Sequence, residues 1–288
     1  MRTNSLRRII CAFSSFILLT TGCSQASASK TTRDAGNQPS VSEPSKKAKT
    51  GGSLPGGSGD PTPIFALIDG FSTCPNFADT ANTIQDTNMS AILSKVLAAA
   101  KKNNKPNPMY VVSCYSFDPS KIYYSTSADP KKLLNSSVPD FIKKFKDMVA
   151  TVTNPDAFVV GYSYGGWTSM KLVSELDEST NLMGLVTIDP ISMVNCTTSN
   201  FFNSLFNTSP EKGCTESPSD FRTETITGIE SHAKTWLNFY QEDQTVLHSG
   251  IIEVAQNTKK DFNNSQSAHI DIAKDEAVVA EILNLLTK

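Results

Sequence analysis

Short apolar runs alternate with amphipathic patterns along most of this chain, and the alternation limits the folds that it can adopt. The runs that predict strands are 64–68, 109–113, 157–161, 183–188, 236–240 and, with a weaker pattern, 250–255. The patterns that predict helices are 90–102, 138–152, 167–176 and 273–286. Strands that alternate with helices form a largely parallel sheet with helices on both faces. The sequence therefore predicts a three-layer α/β domain with about six strands.

The first 22 residues have the features of an export signal. A basic start precedes an apolar stretch, 9–19, that is too short to cross the ~30 Å core of a bilayer as a helix. The sequence Leu19-Thr20-Thr21-Gly22-Cys23 resembles a bacterial lipobox, which predicts that Cys23 is lipidated and anchors the protein to the membrane of the cell envelope. The alternative is cleavage after the A-x-A site at 26–28 and release as a secreted protein.

Residues 23–62 are rich in Ser, Thr, Lys, Pro and Gly and carry almost no large apolar side chains. Such a segment buries too little surface to offset its ordering entropy, so we predict a flexible tether that leads into a domain at 63–288. Without the leader's Arg2, Arg7 and Arg8, 23 basic residues face 28 acidic ones, a net charge of −5. This balance argues against a nucleic acid as partner.

Four cysteines follow the tether: Cys74, Cys114, Cys196 and Cys214. In an oxidising compartment an even count predicts two disulfides, with three possible connectivities. We favour Cys74 with Cys114, because each follows a predicted strand, and Cys196 with Cys214, because both lie in one loop. A zinc site is the rival interpretation, but the chain has no C-x-x-C pair and only three histidines. This pattern argues against a zinc site.

The segment Gly161-Tyr162-Ser163-Tyr164-Gly165 lies between the clearest strand pattern and a helical one. It matches G-x-S-x-G, a strained strand-to-helix turn that exposes a serine hydroxyl above the sheet, with glycines where a Cβ would clash. In the alternative interpretation the glycines serve only close packing of the helix on the sheet, and Ser163 is an ordinary helix cap.

With this segment the chain resembles the α/β-hydrolase superfamily, and its lipase and esterase branch more closely, over residues 63–288. The first predicted strand begins soon after the tether, which predicts a compact core without the leading strands of larger hydrolases. The resemblance implies a serine hydrolase that cleaves a carboxylic ester through an acyl-enzyme, a mechanism for which we expect neither a metal nor a cofactor. It also implies a small or lipid acyl substrate, and we expect a monomer.

The segment Leu67-Ile68-Asp69-Gly70-Phe71 resembles the H-G-F segment that helps to bind the oxyanion in lipases of the pancreatic type. The resemblance implies an oxyanion hole made by the N–H groups of Phe71 and Tyr164. Asp69 stands where the family has histidine, and an ionised carboxylate near the hole would repel the developing charge. This conflict is avoided only if Asp69 points away and is hydrogen-bonded to the backbone; a turn residue before Gly70 is the simpler interpretation.

The resemblance also supplies an acid and a base. Asp189 ends an apolar strand and precedes a proline, as the acid does in pancreatic-type lipases, whereas Asp243 follows the next strand, where most of the superfamily keeps its acid. We favour Asp189. His269 is the preferred base because it follows the last predicted strand and preserves the order Ser, Asp, His. His232 lies at the opposite edge of the predicted sheet, and His248 lies in a loop.

Substrate identity is not contained in the sequence. The segment 190–233, with clustered phenylalanines at 201, 202 and 206, is either a cap over the site or a surface loop held by a disulfide. Tyr162, Tyr164 and Trp167 flank the serine and either line the pocket or pack in the core. The alternatives to an esterase are a thioesterase or peptidase of the same fold and a non-catalytic envelope lipoprotein that uses the scaffold for binding.

Overall fold

The computed structural model describes residues 61–74, 87–105, 108–116, 120–126, 133–191, 221–244 and 247–287. The predicted leader, Cys23, all but the last two residues of the tether, the Cys196–Cys214 pair and most of the segment 190–233 lie outside these residues. None of the described helices is both long and apolar enough to cross a membrane.

The centre of the fold is a mostly parallel sheet of eight strands. In chain order the strands are β1 (Thr62–Ile68), β2 (Met109–Tyr115), β3 (Lys121–Ser125), β4 (Leu134–Ser137), β5 (Pro155–Tyr162), β6 (Leu182–Ile188), β7 (Trp236–Tyr240) and β8 (Gln256–Lys259). Their order across the sheet is β4-β3-β2-β1-β5-β6-β7-β8. The β2–β3 and β3–β4 pairs are antiparallel and the other pairs are parallel. The carboxyl ends of β1, β5, β6 and β7 therefore meet at one edge.

The described helices cover both faces of the sheet. They are α1 (Asn88–Lys102), α2 (Val138–Ala150), α3 (Tyr164–Ser174), α4 (Thr223–His232), α5 (Ala268–Ile272) and α6 (Glu276–Leu286). Ile64, Ala66 and Ile68 of β1 pack in one core with α2, α3 and α4. Phe65 and Leu67, which point to the other face, pack with α1, α5 and α6. The predicted three-layer α/β architecture is confirmed.

Three parts of the fold differ from the sequence predictions. The sheet has eight strands rather than about six, because β3 and β4 are short segments at an antiparallel edge and lack long apolar runs. The strand predicted at 250–255 is wrong: the last strand is the polar segment β8, while Val254 and Ala255 pack against the core without joining the sheet. The helix predicted at 273–286 begins three residues later, at Glu276, because Asp275 caps α6 by accepting a hydrogen bond from the Val278 N–H (3.0 Å).

The loop after β1 is fixed to the end of β2. The predicted disulfide between Cys74 and Cys114 is confirmed, with Cα atoms 5.1 Å apart. The Cys74 N–H also donates to the Tyr115 carbonyl (3.0 Å), and the Ser72 N–H donates to the Ser116 carbonyl (3.3 Å). This loop is therefore held by covalent and backbone bonds at the sheet edge where β5 ends.

Candidate active site

Ser163 occupies a sharp turn between β5 and α3. Its backbone has φ 56° and ψ −126°, a region that non-glycine residues rarely adopt, so the turn is strained. The Ser163 N–H donates to the Ile188 carbonyl (2.8 Å), and the Ser163 carbonyl accepts from the Gly166 N–H (2.9 Å). The interpretation of Ser163 as an ordinary helix cap is wrong, because its side chain makes no capping hydrogen bond.

Two glycines allow α3 to start this close to the sheet. A Cβ at Gly165 would overlap the backbone carbonyl groups of Ile68 and Asp69. A Cβ at Gly161 would overlap the Ser169 hydroxyl and the backbone of Gly165. The spacing of the G-x-S-x-G segment is therefore a steric requirement of the turn.

The structure brings the three residues of the predicted triad into a continuous hydrogen-bonded relay. The Ser163 Oγ lies 2.8 Å from His269 Nε2. His269 Nδ1 lies 2.7 Å from Asp189 Oδ2. Ser163 and His269 are 7% and 5% exposed, and Asp189 is fully buried. With a proton on Nδ1, the imidazole donates to the carboxylate and accepts the serine proton on Nε2.

The carboxylate of Asp189 accepts four hydrogen bonds. Oδ1 receives the Ser249 N–H (2.7 Å) and the Ser249 hydroxyl (2.8 Å), and Oδ2 receives the Gln241 amide (2.7 Å) together with His269 Nδ1. A buried charge is tolerated only where such partners replace water. No motif in the sequence marks Gln241 or Ser249, because their roles depend on how the loop after β7 folds back toward the end of β6.

His269 is held by its backbone as well as by its ring. The Tyr162 hydroxyl donates to the His269 carbonyl (2.8 Å), and the Gln244 side-chain oxygen accepts from the His269 N–H (3.2 Å). The rings of Tyr162 and His269 lie 5.1 Å apart between centroids. One interpretation of the sequence was that Tyr162 lines the pocket. In the structure Tyr162 supports the base, so it does more than line a pocket.

The other candidate residues point elsewhere. Asp243 accepts hydrogen bonds from the N–H groups of Phe262 (2.7 Å) and Asn264 (3.0 Å), which lower its pKa. His232 Nε2 lies 3.1 Å from the Thr180 carbonyl, and His248 Nδ1 lies 3.1 Å from the Ser249 carbonyl. Asp189 and His269, rather than these residues, share a relay with Ser163.

The backbone of the predicted oxyanion segment passes directly beside the serine. A Cβ at Gly70 would lie 2.7 Å from Ser163 Cβ and 3.2 Å from its Oγ. Phe71 follows Gly70, and its ring contacts that of Tyr164 edge to face at 6.5 Å between centroids. Gly70 therefore adjoins the Ser163 side chain, Phe71 directly follows Gly70, and Tyr164 directly follows Ser163.

Both carboxylate oxygens of Asp69 are hydrogen-bonded to the backbone. Oδ1 accepts from the Gly70 N–H (2.9 Å), and Oδ2 accepts from the Met89 N–H (3.0 Å) at the start of α1. Burial raises the pKa of Asp69, and the hydrogen bonds from Met89 and Gly70 offset this only in part. Asp69 is therefore bonded to the backbone, as the sequence required for it to avoid a conflict with an oxyanion hole.

Aromatic side chains pack beside the turn. The rings of Tyr164 and Trp167 stack at 5.8 Å between centroids, and the Trp167 ring lies 5.8 Å from that of Phe221. Tyr164 also contacts Tyr115 at 4.7 Å. Tyr164 and Trp167 are 3% and 9% exposed, so most of their surface belongs to the core.

No protein-family model and no curated protein matches this chain. It is similar to the solved carboxylesterase CesB from Bacillus subtilis, with 12% identity, a TM-score of 0.41, and coverage of 78% of this chain and 84% of that one. It is similar to the esterase domain of a Rhodothermus marinus protein, with 13% identity, a TM-score of 0.39, and coverage of 80% and 87%. An α/β serine hydrolase homologue from Coxiella burnetii has 12% identity, a TM-score of 0.38, and coverage of 80% and 86%. These likenesses are distant, and the α/β-hydrolase fold of this chain is established by its own strand order and serine turn.

Proposed function

We propose that this chain is a serine hydrolase that cleaves carboxylic esters by transferring the acyl group to water. The observation that carries the proposal is the buried relay from Ser163 through His269 to Asp189, with distances of 2.8 and 2.7 Å. Such a relay activates a hydroxyl that is otherwise a weak nucleophile at neutral pH. The strained turn and the two required glycines support the proposal, because they present this hydroxyl above the sheet.

In the first half-reaction, Ser163 Oγ attacks the carbonyl carbon while His269 Nε2 removes its proton. Asp189 holds the Nδ1–H tautomer and stabilises the imidazolium as it forms. His269 then gives the proton to the leaving alcohol, and the acyl-enzyme remains. In the second half-reaction His269 takes a proton from water, the water oxygen attacks the acyl carbon, and the bond to Ser163 Oγ breaks as His269 returns the proton to this oxygen, which releases the acid and regenerates the enzyme.

The negative charge on the carbonyl oxygen needs donors that are in place before the reaction. We propose that the N–H groups of Phe71 and Tyr164 supply them, because Phe71 directly follows Gly70, which adjoins the Ser163 side chain, and Tyr164 follows Ser163 at the start of α3. The N-terminus of a helix favours negative charge. Loss of one such donor typically lowers turnover by roughly 10²- to 10³-fold.

A fluorophosphonate probe tests the proposal, because labelling requires an activated serine. We expect the probe to label the wild-type chain and not the Ser163→Ala variant, and kcat on a p-nitrophenyl ester to fall by roughly 10⁶-fold in that variant. Ser169→Ala is the matched control, because the Ser169 hydroxyl is also buried in α3 but donates to the Gly165 carbonyl (2.8 Å). Labelling that survives in Ser163→Ala would show that the reactive nucleophile is another residue, and a wild-type chain that the probe does not label would leave only a binding scaffold.

The class of acyl substrate is tested separately. Ester hydrolysis is our proposal, and a thioesterase or a peptidase uses the same relay on a different leaving group. A matched panel with one acyl group presented as an oxygen ester, a thioester and an anilide separates these activities through kcat/KM. A higher kcat/KM for the thioester or the anilide than for the ester would replace the esterase assignment while retaining the serine mechanism.

We further propose that the enzyme is exported and anchored to the cell envelope by a lipid on Cys23. The proposal rests on the sequence features of the first 23 residues. In a bacterial host, the wild-type chain should partition into the detergent phase and the Cys23→Ala variant should not. Aqueous partitioning of the wild-type chain, with an N-terminus near residue 29, would instead indicate ordinary secretion.

A further inference from the structure

Gln241 directly follows β7, and its side-chain amide is fully buried. Both the nitrogen and the oxygen of this amide are hydrogen-bonded. Nε2 donates to Asp189 Oδ2 and to the Leu247 carbonyl, both at 2.7 Å, and Oε1 accepts from the Gln244 N–H (2.9 Å). Two acceptors face the nitrogen and one donor faces the oxygen. The orientation of the amide is therefore determined, and only a neutral group that both donates and accepts fits the site.

Gln241 connects the acid and the base of the relay. It binds Asp189 directly, and it fixes the backbone of Gln244, whose side chain accepts the N–H of His269 (3.2 Å). The bond to Asp189 reaches the same oxygen, Oδ2, that receives His269 Nδ1. Ser249 holds the other oxygen. Together these bonds fix the rotation of the carboxylate, and with it the direction in which Asp189 meets the imidazole.

We infer that Gln241 is a positioning residue of the relay, which acts on the chemistry by holding Asp189 Oδ2 toward His269. The inference rests on the proposed serine hydrolase activity. Gln241 lies in the segment after β7, two positions before Asp243. Asp243 is the residue that the sequence offered as the alternative acid. In this chain that segment supplies an amide donor to an acid carried by β6.

The test uses two substitutions with opposite expectations. Gln241→Leu removes the amide and should lower kcat/KM by roughly 10- to 100-fold at every pH, because small errors in orientation are costly. Gln241→Glu keeps the shape and introduces a group that donates only while it is protonated. At low pH this group should keep its proton, because it faces two acceptors, Asp189 Oδ2 and the Leu247 carbonyl. As the pH rises it should lose the proton and become a carboxylate.

For Gln241→Glu we therefore expect activity close to that of wild type at the acidic end of the measurable range. Relative to wild type, its kcat/KM should fall as the pH rises, because a second carboxylate then repels Asp189. Titration with the fluorophosphonate probe counts the folded, labelled sites at each pH, so that loss of folded protein is separated from slower turnover. Other titratable groups near Gln241 in the described structure have their own partners: Glu242 pairs with Lys259, Asp243 accepts two N–H groups, and His248 bonds the Ser249 carbonyl.

Asn238→Asp is the matched control. Asn238 is a fully buried amide on β7 that donates to the Gly250 carbonyl (3.0 Å) and to the Asn257 side chain (2.8 Å), so an acid there should reduce stability without a pH-dependent loss of kcat/KM per labelled site. The inference is overturned if the ratio of kcat/KM between Gln241→Glu and wild type is independent of pH. It is also overturned if Gln241→Leu retains the wild-type kcat, or if Asn238→Asp shows the same pH-dependent loss of kcat/KM as Gln241→Glu. Failure of the proposed function is distinct, because it would appear as a wild-type chain that the probe does not label.

Discussion

The hydroxyl group of Tyr162 donates a 2.8 Å hydrogen bond to the backbone carbonyl of His269, and the two rings lie 5.1 Å apart between centroids. Tyr162 is also the residue before Ser163 in β5. One buried side chain therefore spans the distance between the strand that carries the serine and the helix that carries the histidine. The length of this side chain helps to set the 2.8 Å separation of Ser163 Oγ and His269 Nε2.

Tyr162→Phe should keep the ring contact and lose the bond to the His269 carbonyl. We expect a decrease of about 1 kcal/mol in the free energy of unfolding and about a 10-fold decrease in kcat with little change in KM. Tyr115→Phe is the control, because that equally buried hydroxyl bonds Thr168 Oγ1 (2.6 Å) and does not contact His269. Steady-state kinetics and thermal melts on both variants check this prediction, and equal losses of kcat in the two would contradict it.

Asp189→Asn and Asp243→Asn should differ by several orders of magnitude in activity. An amide at 189 no longer favours the Nδ1–H tautomer of His269, and in a comparable relay this change lowers kcat by roughly 10⁴-fold. The carboxylate of Asp243 accepts the N–H groups of Phe262 and Asn264, so its loss should leave kcat within about three-fold of wild type. Turnover of a p-nitrophenyl ester by both variants decides the matter; a larger loss in Asp243→Asn would reverse the assignment of the acid.

The central strands and the serine turn could be predicted from the sequence, because their patterns depend on residues that are close together in the chain. A strand buried on both faces, such as β1 or β5, is a continuous apolar run, and the strained turn after β5 requires its glycines. The two edge strands, β4 and β8, were missed or misplaced because they carry mostly polar residues, and β3, which lies beside β4, was missed because it has only five residues. Their pairing depends on distant segments, as in the match of Leu237 with Gln256.

Part of the site could be predicted from the sequence for the same reason. The positions of Ser163, Asp189 and His269 follow from strand ends and chain order, since parallel strands deliver their carboxyl ends to one edge. Gln241 and Ser249 carry no such signal. An amide and a hydroxyl are ordinary loop residues until the loop after β7 closes over Asp189, and only the folded chain places them there.

The stability of the fold should depend on pH through Asp69. Burial raises the pKa of this carboxyl above its unfolded value of 3.8, so its contribution to stability is fully present below that value and is lost as the pH rises through the folded pKa. The Asp69→Asn variant has no titrating group at this position. As the pH rises from about 4, the unfolding free energy of the wild type should therefore fall relative to that of Asp69→Asn, so that the difference shifts against the wild type. Urea unfolding of both chains across this range checks the sign, and a difference that shifts toward the wild type would contradict it.

The Cys74–Cys114 disulfide closes a loop with a sequence separation of 40 and should stabilise the fold by roughly 4 kcal/mol on the chain-entropy model. It also ends the loop that carries Phe71. A Cys74→Ser, Cys114→Ser double variant should therefore unfold at lower denaturant concentration and, because the Phe71 backbone is held less firmly, show a lower kcat. Activity measured well below the unfolding transition separates the two effects. An unchanged kcat in the folded double variant would show that the backbone bonds from Ser72 and Cys74 to the end of β2 suffice to hold the loop.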